Sequence, residues 1–95
     1  MAIETARWDV SELLDSEEKV FAYIEAAFED GDPELIKTVL GNVARARGMT
    51  AIAREAGVSR ETLYKALSEK GDPRMSTLMG VLKALGVKLA AAPAT

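Results

Sequence analysis

Apolar residues recur every three or four positions along most of this chain, which is the spacing of one face of an α-helix. A first stripe comprises Val20, Phe21, Ile24, Ala27 and Phe28. A second comprises Leu35, Ile36, Val39, Leu40 and Val43. The two stripes predict two amphipathic helices, over about residues 16–29 and 33–47, that turn these residues toward a common core.

The residues that flank the two stripes are typical of helix ends. Asp15 and Glu18 form a capping box before the first helix. Asp32 is a favourable N-cap for the second helix, and Pro33 fits its first turn, where the missing N–H costs nothing. Gly48 follows the last apolar positions and predicts the end of this helix.

Residues 49–67, MTAIAREAGVSRETLYKAL, read as two short helices that meet at a wide angle. We expect Thr50 to cap a helix over about residues 51–56 and Ser59 to cap another over about 60–68. Gly57 supplies the left-handed turn residue, and Ala53 is small enough for a close helix contact. The inward positions are Ile52, Ala56, Val58, Leu63 and Ala66. This pattern predicts a helix-turn-helix.

The outward positions of the second helix of this motif have the chemistry of a DNA-reading surface. The outward residues are Arg60, Glu61, Tyr64, Lys65 and Ser68. Arginine reads guanine, glutamate accepts from cytosine, and lysine and tyrosine bind phosphate. In such motifs the N-terminal part of the second helix meets the bases. Arg60, Glu61 and Tyr64 are therefore expected to contact bases, with Ser59, Thr62 and Lys65 in support. The alternative is an ordinary helical hairpin with a solvated face.

The end of the chain combines one more helix with a short alternating segment. Leu78, Val81, Leu82 and Leu85 form an apolar stripe. They predict a last helix from about Met75 to Leu85, which Gly86 ends. Val87, Lys88 and Leu89 then alternate in polarity and predict a short strand.

With 95 residues and no internal linker, the chain is expected to form one all-α domain of five helices with a short C-terminal strand. We divide it into an N-terminal arm (1–15), an acidic helix pair (16–48), a helix-turn-helix (49–68), a last helix (74–86) and a strand and tail (87–95).

Composition and charge restrict the chemistry further. The sequence has neither cysteine nor histidine, which excludes disulfides, Cys/His zinc sites and catalysis by either residue type. No paired catalytic carboxylates and no phosphate-binding glycine loop are visible, so we expect no enzymatic activity and no cofactor. The N-terminus resembles no signal peptide, and no apolar run approaches the roughly 20 residues of a membrane span, so a cytoplasmic protein is expected.

The net charge of −3 hides a division between the two parts of the chain. Residues 1–40 carry eleven acids and three bases, whereas residues 41–95 carry nine bases and four acids. Phosphate groups respond to the local field, because fields are screened beyond about 10 Å at moderate salt. The overall acidity is therefore no objection to DNA binding, although both parts could also be ordinary solvated surfaces.

The segment GMTAIAREAGVSRETLYKALSEKGDPRMSTLMGVLKALGVKL resembles the XRE-type (lambda-repressor-like) helix-turn-helix domains. With the preceding EEKVFAYIEAAFEDGDPELIKTVLGNVARARGM, about residues 8–90 are similar to the probable addiction module antidote proteins. SRETLYKALS is the most specific part of this likeness. By resemblance, the DNA-reading residues are Ser59, Arg60, Glu61, Tyr64 and Lys65. Many XRE domains begin the first helix of the motif with a Thr-Gln pair, whose glutamine binds a phosphate. This chain has Thr50-Ala51 there, so that contact is expected from Thr50 or a backbone amide.

The resemblance implies an antitoxin that neutralises a RelE/ParE-type toxin and represses its own operon. Such toxins are basic, so the acidic half of this chain would attract one. The candidate contacts are Trp8, Asp9, Glu12, Leu13, Leu14, Glu17, Glu25 and Glu29. A single tryptophan near a terminus also commonly packs on its own domain, which is the alternative for Trp8.

Two other functions remain open at the level of sequence. One is a stand-alone repressor without a toxin, and the other is a toxin-masking module that no longer binds DNA. A palindromic double-stranded operator would be read by a homodimer whose motifs lie about 34 Å apart. The last helix and residues 87–91 are the expected dimer interface, because Val87 and Leu89 would otherwise leave an exposed strand edge.

Overall fold

The computed structural model describes residues 16–94, which form five α-helices and no strand. They are α1 (Glu17–Asp30), α2 (Pro33–Arg47), α3 (Met49–Ala56), α4 (Arg60–Ala66) and α5 (Met75–Ala84). The expected all-helical, five-helix architecture is therefore confirmed over these residues.

Ser16 is the N-cap of α1, where Asp15 was expected. Its extended backbone and its hydroxyl, which accepts a hydrogen bond from the Lys19 amide at 3.1 Å, make it the capping residue. Asp15 itself lies outside the described residues. Both residue types are good caps, and the sequence pattern did not distinguish two neighbouring candidates.

The predicted ends of α2 are confirmed. The Asp32 carboxylate accepts from the Glu34 amide at 3.0 Å, and Pro33 occupies the first turn. Gly48 follows with a φ of 109°, and its N–H donates to the carbonyl of Ala44. The same glycine precedes α3 directly, which starts at Met49. Thr50 therefore lies inside the first turn of α3, and its predicted capping role is wrong.

One hydrophobic core joins all five helices. It comprises Val20, Ile24, Ala27, Val39, Leu40, Val43, Ala44, Met49, Ile52, Ala53, Leu63, Leu67, Val81, Leu82 and Leu85. Two residues of the predicted stripes are exposed instead: Phe21 is 51% exposed and Leu35 39% exposed. The buried stripe of each helix is therefore narrower than the sequence pattern suggested.

Helix α5 packs across α3, and this contact fixes the position of α3. A Cβ atom on Gly80 would lie only 3.0 Å from the Cα and 3.1 Å from the carbonyl oxygen of Ala56. Val81 and Leu82 of α5, and Leu85 directly after it, are buried in the core. The other principal packing pairs are neighbours in sequence: α1 with α2, α2 with α3, and α3 with α4.

The predicted strand over Val87–Leu89 is wrong. These residues have no regular secondary structure, because the Val87 amide is turned back to donate to the carbonyl of Leu82 at 2.8 Å. Gly86, with a φ of 77°, makes that reversal possible. A strand also needs a partner, and residues 16–94 offer none.

Candidate nucleic-acid interface

The turn between α3 and α4 is built as the sequence predicted. Gly57 adopts the left-handed conformation with a φ of 78°, and the Val58 amide donates to the carbonyl of Ala53 at 3.0 Å. Ser59 then starts α4, with its Oγ accepting from the Thr62 amide at 3.0 Å. Leu63, on the inner face of α4, is fully buried and packs that helix against the core. The two short helices are thus held as one unit.

Every residue that the sequence assigned to DNA binding is exposed. On and around α4 these are Ser59, Arg60, Glu61, Thr62, Tyr64, Lys65 and Ser68, and on α3 it is Thr50. Four of them, Glu61, Thr62, Tyr64 and Lys65, line a single shallow depression on the outer face of α4. The structure therefore brings these four side chains of α4 onto one solvent-facing surface.

Arg60 and Tyr64 form a pair on this surface. The guanidinium carbon of Arg60 lies 5.8 Å from the centre of the Tyr64 ring, one helical turn away. This is within the range of a cation–π interaction, which orients the arginine without using its N–H donors. Arg60 therefore keeps its planar donor edge for an external acceptor such as a guanine.

The hydroxyl groups of Ser59 and Ser68 are already engaged inside the chain. The Ser59 hydroxyl donates to Thr62 Oγ1 at 2.8 Å while it caps α4. The Ser68 hydroxyl donates to the carbonyl of Lys65 at 2.7 Å. Each hydroxyl has one proton to donate, and both serines use it within the chain. Their hydrogen bonds stabilise the start of α4 and the turn that follows its end.

Three further features of the site were not anticipated from the motif, because they lie outside it. Lys70 and Arg74 line an open hollow beside α4 together with Lys65 and Thr62. Their positive charge was visible in the sequence, but only the folded loop shows that they reach the same hollow. Lys37, on α2, donates to carbonyl groups of that loop.

The residues proposed as partner contacts divide into two groups. Trp8, Asp9, Glu12, Leu13 and Leu14 lie outside the described residues. Glu17, Glu25 and Glu29 are exposed on α1, where the Glu17 carboxylate forms an ion pair with Arg47 at 3.0 Å. Phe21 is exposed on the same helix. The described part of α1 thus presents acids around one exposed aromatic ring.

Over residues 16–94 the structure offers no group of three or more acidic, histidine or cysteine side chains arranged to hold a metal ion. Within the same range, none of the helices has the length and apolar character required to cross a membrane.

Comparison with known proteins assigns the chain to a family. The model of the family described as "Probable addiction module antidote protein" matches residues 4–93. An uncharacterized protein of Haemophilus influenzae (strain ATCC 51907 / DSM 11121 / KW20 / Rd) is 49% identical over 81 residues, which cover 85% of this chain and 84% of the relative. No solved structure gives a significant match. The chain belongs to the probable addiction module antidote protein family.

Proposed function

We propose that this protein is an antitoxin that binds double-stranded DNA through α3 and α4 and represses its own operon. The observation that carries the DNA-binding part is the outer face of α4. Arg60, Glu61, Tyr64 and Lys65 are all exposed there, and Leu63 anchors the opposite face in the core. In XRE-type domains, the N-terminal part of the corresponding helix contacts base edges in the major groove of DNA.

The charge distribution supports DNA binding through α4. Residues 41–95 contain nine basic residues against four acids. Lys65, Lys70 and Arg74 share one hollow next to α4. A DNA backbone would meet a positive field here, while the acids of α1 belong to a different helix.

Membership of an antidote family implies a toxin as partner, and we propose a small basic toxin of the RelE/ParE type. The acidic surface of α1 would attract a basic protein and speed its association. In this proposal the antidote itself has no enzymatic activity and acts in the cytoplasm.

We further propose that the protein binds a palindromic operator as a homodimer. Three large apolar side chains remain exposed on α5 and in the segment after it: Met75, Met79 and Leu89. The proposal requires that a second copy covering them place two α4 helices in adjacent major grooves, about 34 Å apart. The strand is absent, so side chains rather than a sheet edge would form this contact. Sedimentation at micromolar concentration tests it, and a monomer would count against it.

The decisive experiment combines co-purification with operator binding. The chain is co-expressed with the product of the adjacent reading frame, and binding to DNA from its own upstream region is measured. Arg60→Ala with Lys65→Ala should abolish DNA binding and leave toxin capture intact. Unchanged DNA binding would refute the assignment of α4. Toxin capture without any DNA binding would indicate a masking module, and DNA binding without a neighbouring toxin would indicate a stand-alone repressor.

A further inference from the structure

Lys37 is the only charged side chain that is buried in the part of the chain that the structure describes, with 7% of its surface exposed. Its ammonium group donates to the carbonyl of Gly71 at 2.6 Å and to that of Glu69 at 2.9 Å. The carboxylate of Glu34 lies 3.2 Å away. An ammonium group has three N–H donors, and the two carbonyl groups of the loop take two of them by hydrogen bonds.

The two carbonyl groups belong to the loop that leaves α4. Residues 67–74 connect α4 to α5, and Lys37 on α2 holds the middle of this loop. Gly71 also lies against the end of α4 so closely that a Cβ atom there would overlap the carbonyl oxygens of Lys65 and Ala66. If the loop moved, a buried ammonium would lose its acceptors, which is unfavourable.

The loop carries positive charge on its outer side. Lys70 and Arg74 line the hollow that also contains Lys65 of α4. Over residues 16–94 no carboxylate lies within ion-pair distance of any of these three. Asp72 is the one acid that lines this hollow, against three bases, so its lining carries a net positive charge.

We propose that Lys37 is a positioning residue for DNA binding, which sets the 67–74 loop so that Lys70 and Arg74 contact the DNA backbone beside α4. This inference rests on the proposed DNA-binding function and extends it to a residue that never meets the DNA. Lys37 acts through the carbonyl groups of Glu69 and Gly71, whereas its ion pair with the exposed Glu34 is dispensable.

The test is the salt dependence of DNA affinity. The slope of log K against log salt is negative, and each lost phosphate contact reduces its magnitude by about 0.9. Binding of the full chain to a duplex carrying its own upstream region is measured between about 50 and 200 mM salt. The variants are Lys37→Met, Glu34→Gln as the matched control, the pair Lys70→Gln with Arg74→Gln, and the triple variant. Hydrogen exchange of the Gly71 amide, which donates to Ser68 O at 2.9 Å, reports on the loop itself.

The paired loop variant should reduce the magnitude of the slope by about 1.8 per bound protomer. Lys37→Met should reduce the magnitude by a similar amount and speed hydrogen exchange at Gly71. In the triple variant, Lys37→Met should reduce the magnitude no further than the paired variant does. Glu34→Gln should leave slope and exchange unchanged.

A folded Lys37→Met variant with the wild-type slope would overturn the inference alone. An unchanged slope in the paired loop variant would also overturn it, even if Lys37→Met failed to fold. Absence of DNA binding by the wild-type chain would overturn the proposed function together with this inference.

Discussion

Gly80 of α5 lies directly on Ala56 of α3, and a Cβ atom on the glycine would come within 3.0 Å of the alanine Cα. The neighbouring atoms are backbone and cannot rotate away. We therefore expect Gly80→Leu to push α5 off α3 and to lower the free energy of unfolding by about 1–3 kcal/mol. Ser76→Leu, at an exposed position of the same helix, is the control for added bulk. Urea denaturation measures both, and equal stabilities of the two variants would contradict the close packing.

Ser59 separates the stability of α4 from its surface chemistry. Ser59→Ala removes the cap on the Thr62 amide and should cost about 1 kcal/mol of folding free energy. Ser59→Asp retains an N-cap acceptor and should stay near wild-type stability. It should nevertheless weaken DNA binding, because it adds a negative charge to the proposed interface. Thermal unfolding and a DNA titration read the two effects, and loss of stability in the aspartate variant would argue against the cap as described.

Arg60 and Lys65 should affect DNA binding differently. Arg60→Ala removes a planar donor and should cost about 1–3 kcal/mol for the preferred site, with weaker discrimination against shuffled DNA. Lys65→Gln should weaken binding to the preferred site and to shuffled DNA alike, and reduce the magnitude of the slope of log K against log salt by about 0.9. Titrations of operator and shuffled duplexes distinguish the two. A loss of discrimination from Lys65→Gln instead would reverse the assigned roles.

Phe21 is the exposed aromatic ring among the acids of α1. If the toxin covers this helix, Phe21→Ser should weaken toxin binding by about 1–2 kcal/mol, which is five- to thirty-fold in the dissociation constant. Operator affinity should not change. Leu35→Ser, an exposed apolar residue on α2, is the matched control, and calorimetry with the toxin gives both constants. An unaffected Phe21→Ser complex would place the toxin elsewhere.

Local chemistry explains why much of the fold was predictable. The ends of α2 follow from Asp32, Pro33 and Gly48, whose conformational preferences act within one or two residues. The turn at Gly57 and the cap at Ser59 are equally local. The exposed face of α4 then follows from helical periodicity, because Leu63 must turn inward.

The errors come from contacts that are distant in sequence or from patterns too short to decide. Three alternating residues predicted a strand after Gly86, but the hydrogen bond from Val87 to Leu82 determines that segment. Lys37 was not singled out, although it precedes Leu40 and Ala44 by three and seven positions and so shares their inner face. Only the approach of residues 69–71 to α2 explains how a lysine is accommodated there.

The packing of α5 across α3 also has a consequence for the order of events during synthesis. Helices α1 to α4 can pair with their sequence neighbours as they leave the ribosome, since such short-range contacts form quickly. Val81, Leu82 and Leu85 are deeply buried, however, and all come from α5 and the residue that follows it. A nascent chain that stops before residue 75 therefore lacks this part of its core. Helices α3 and α4 therefore reach their final support only after α5 has been translated.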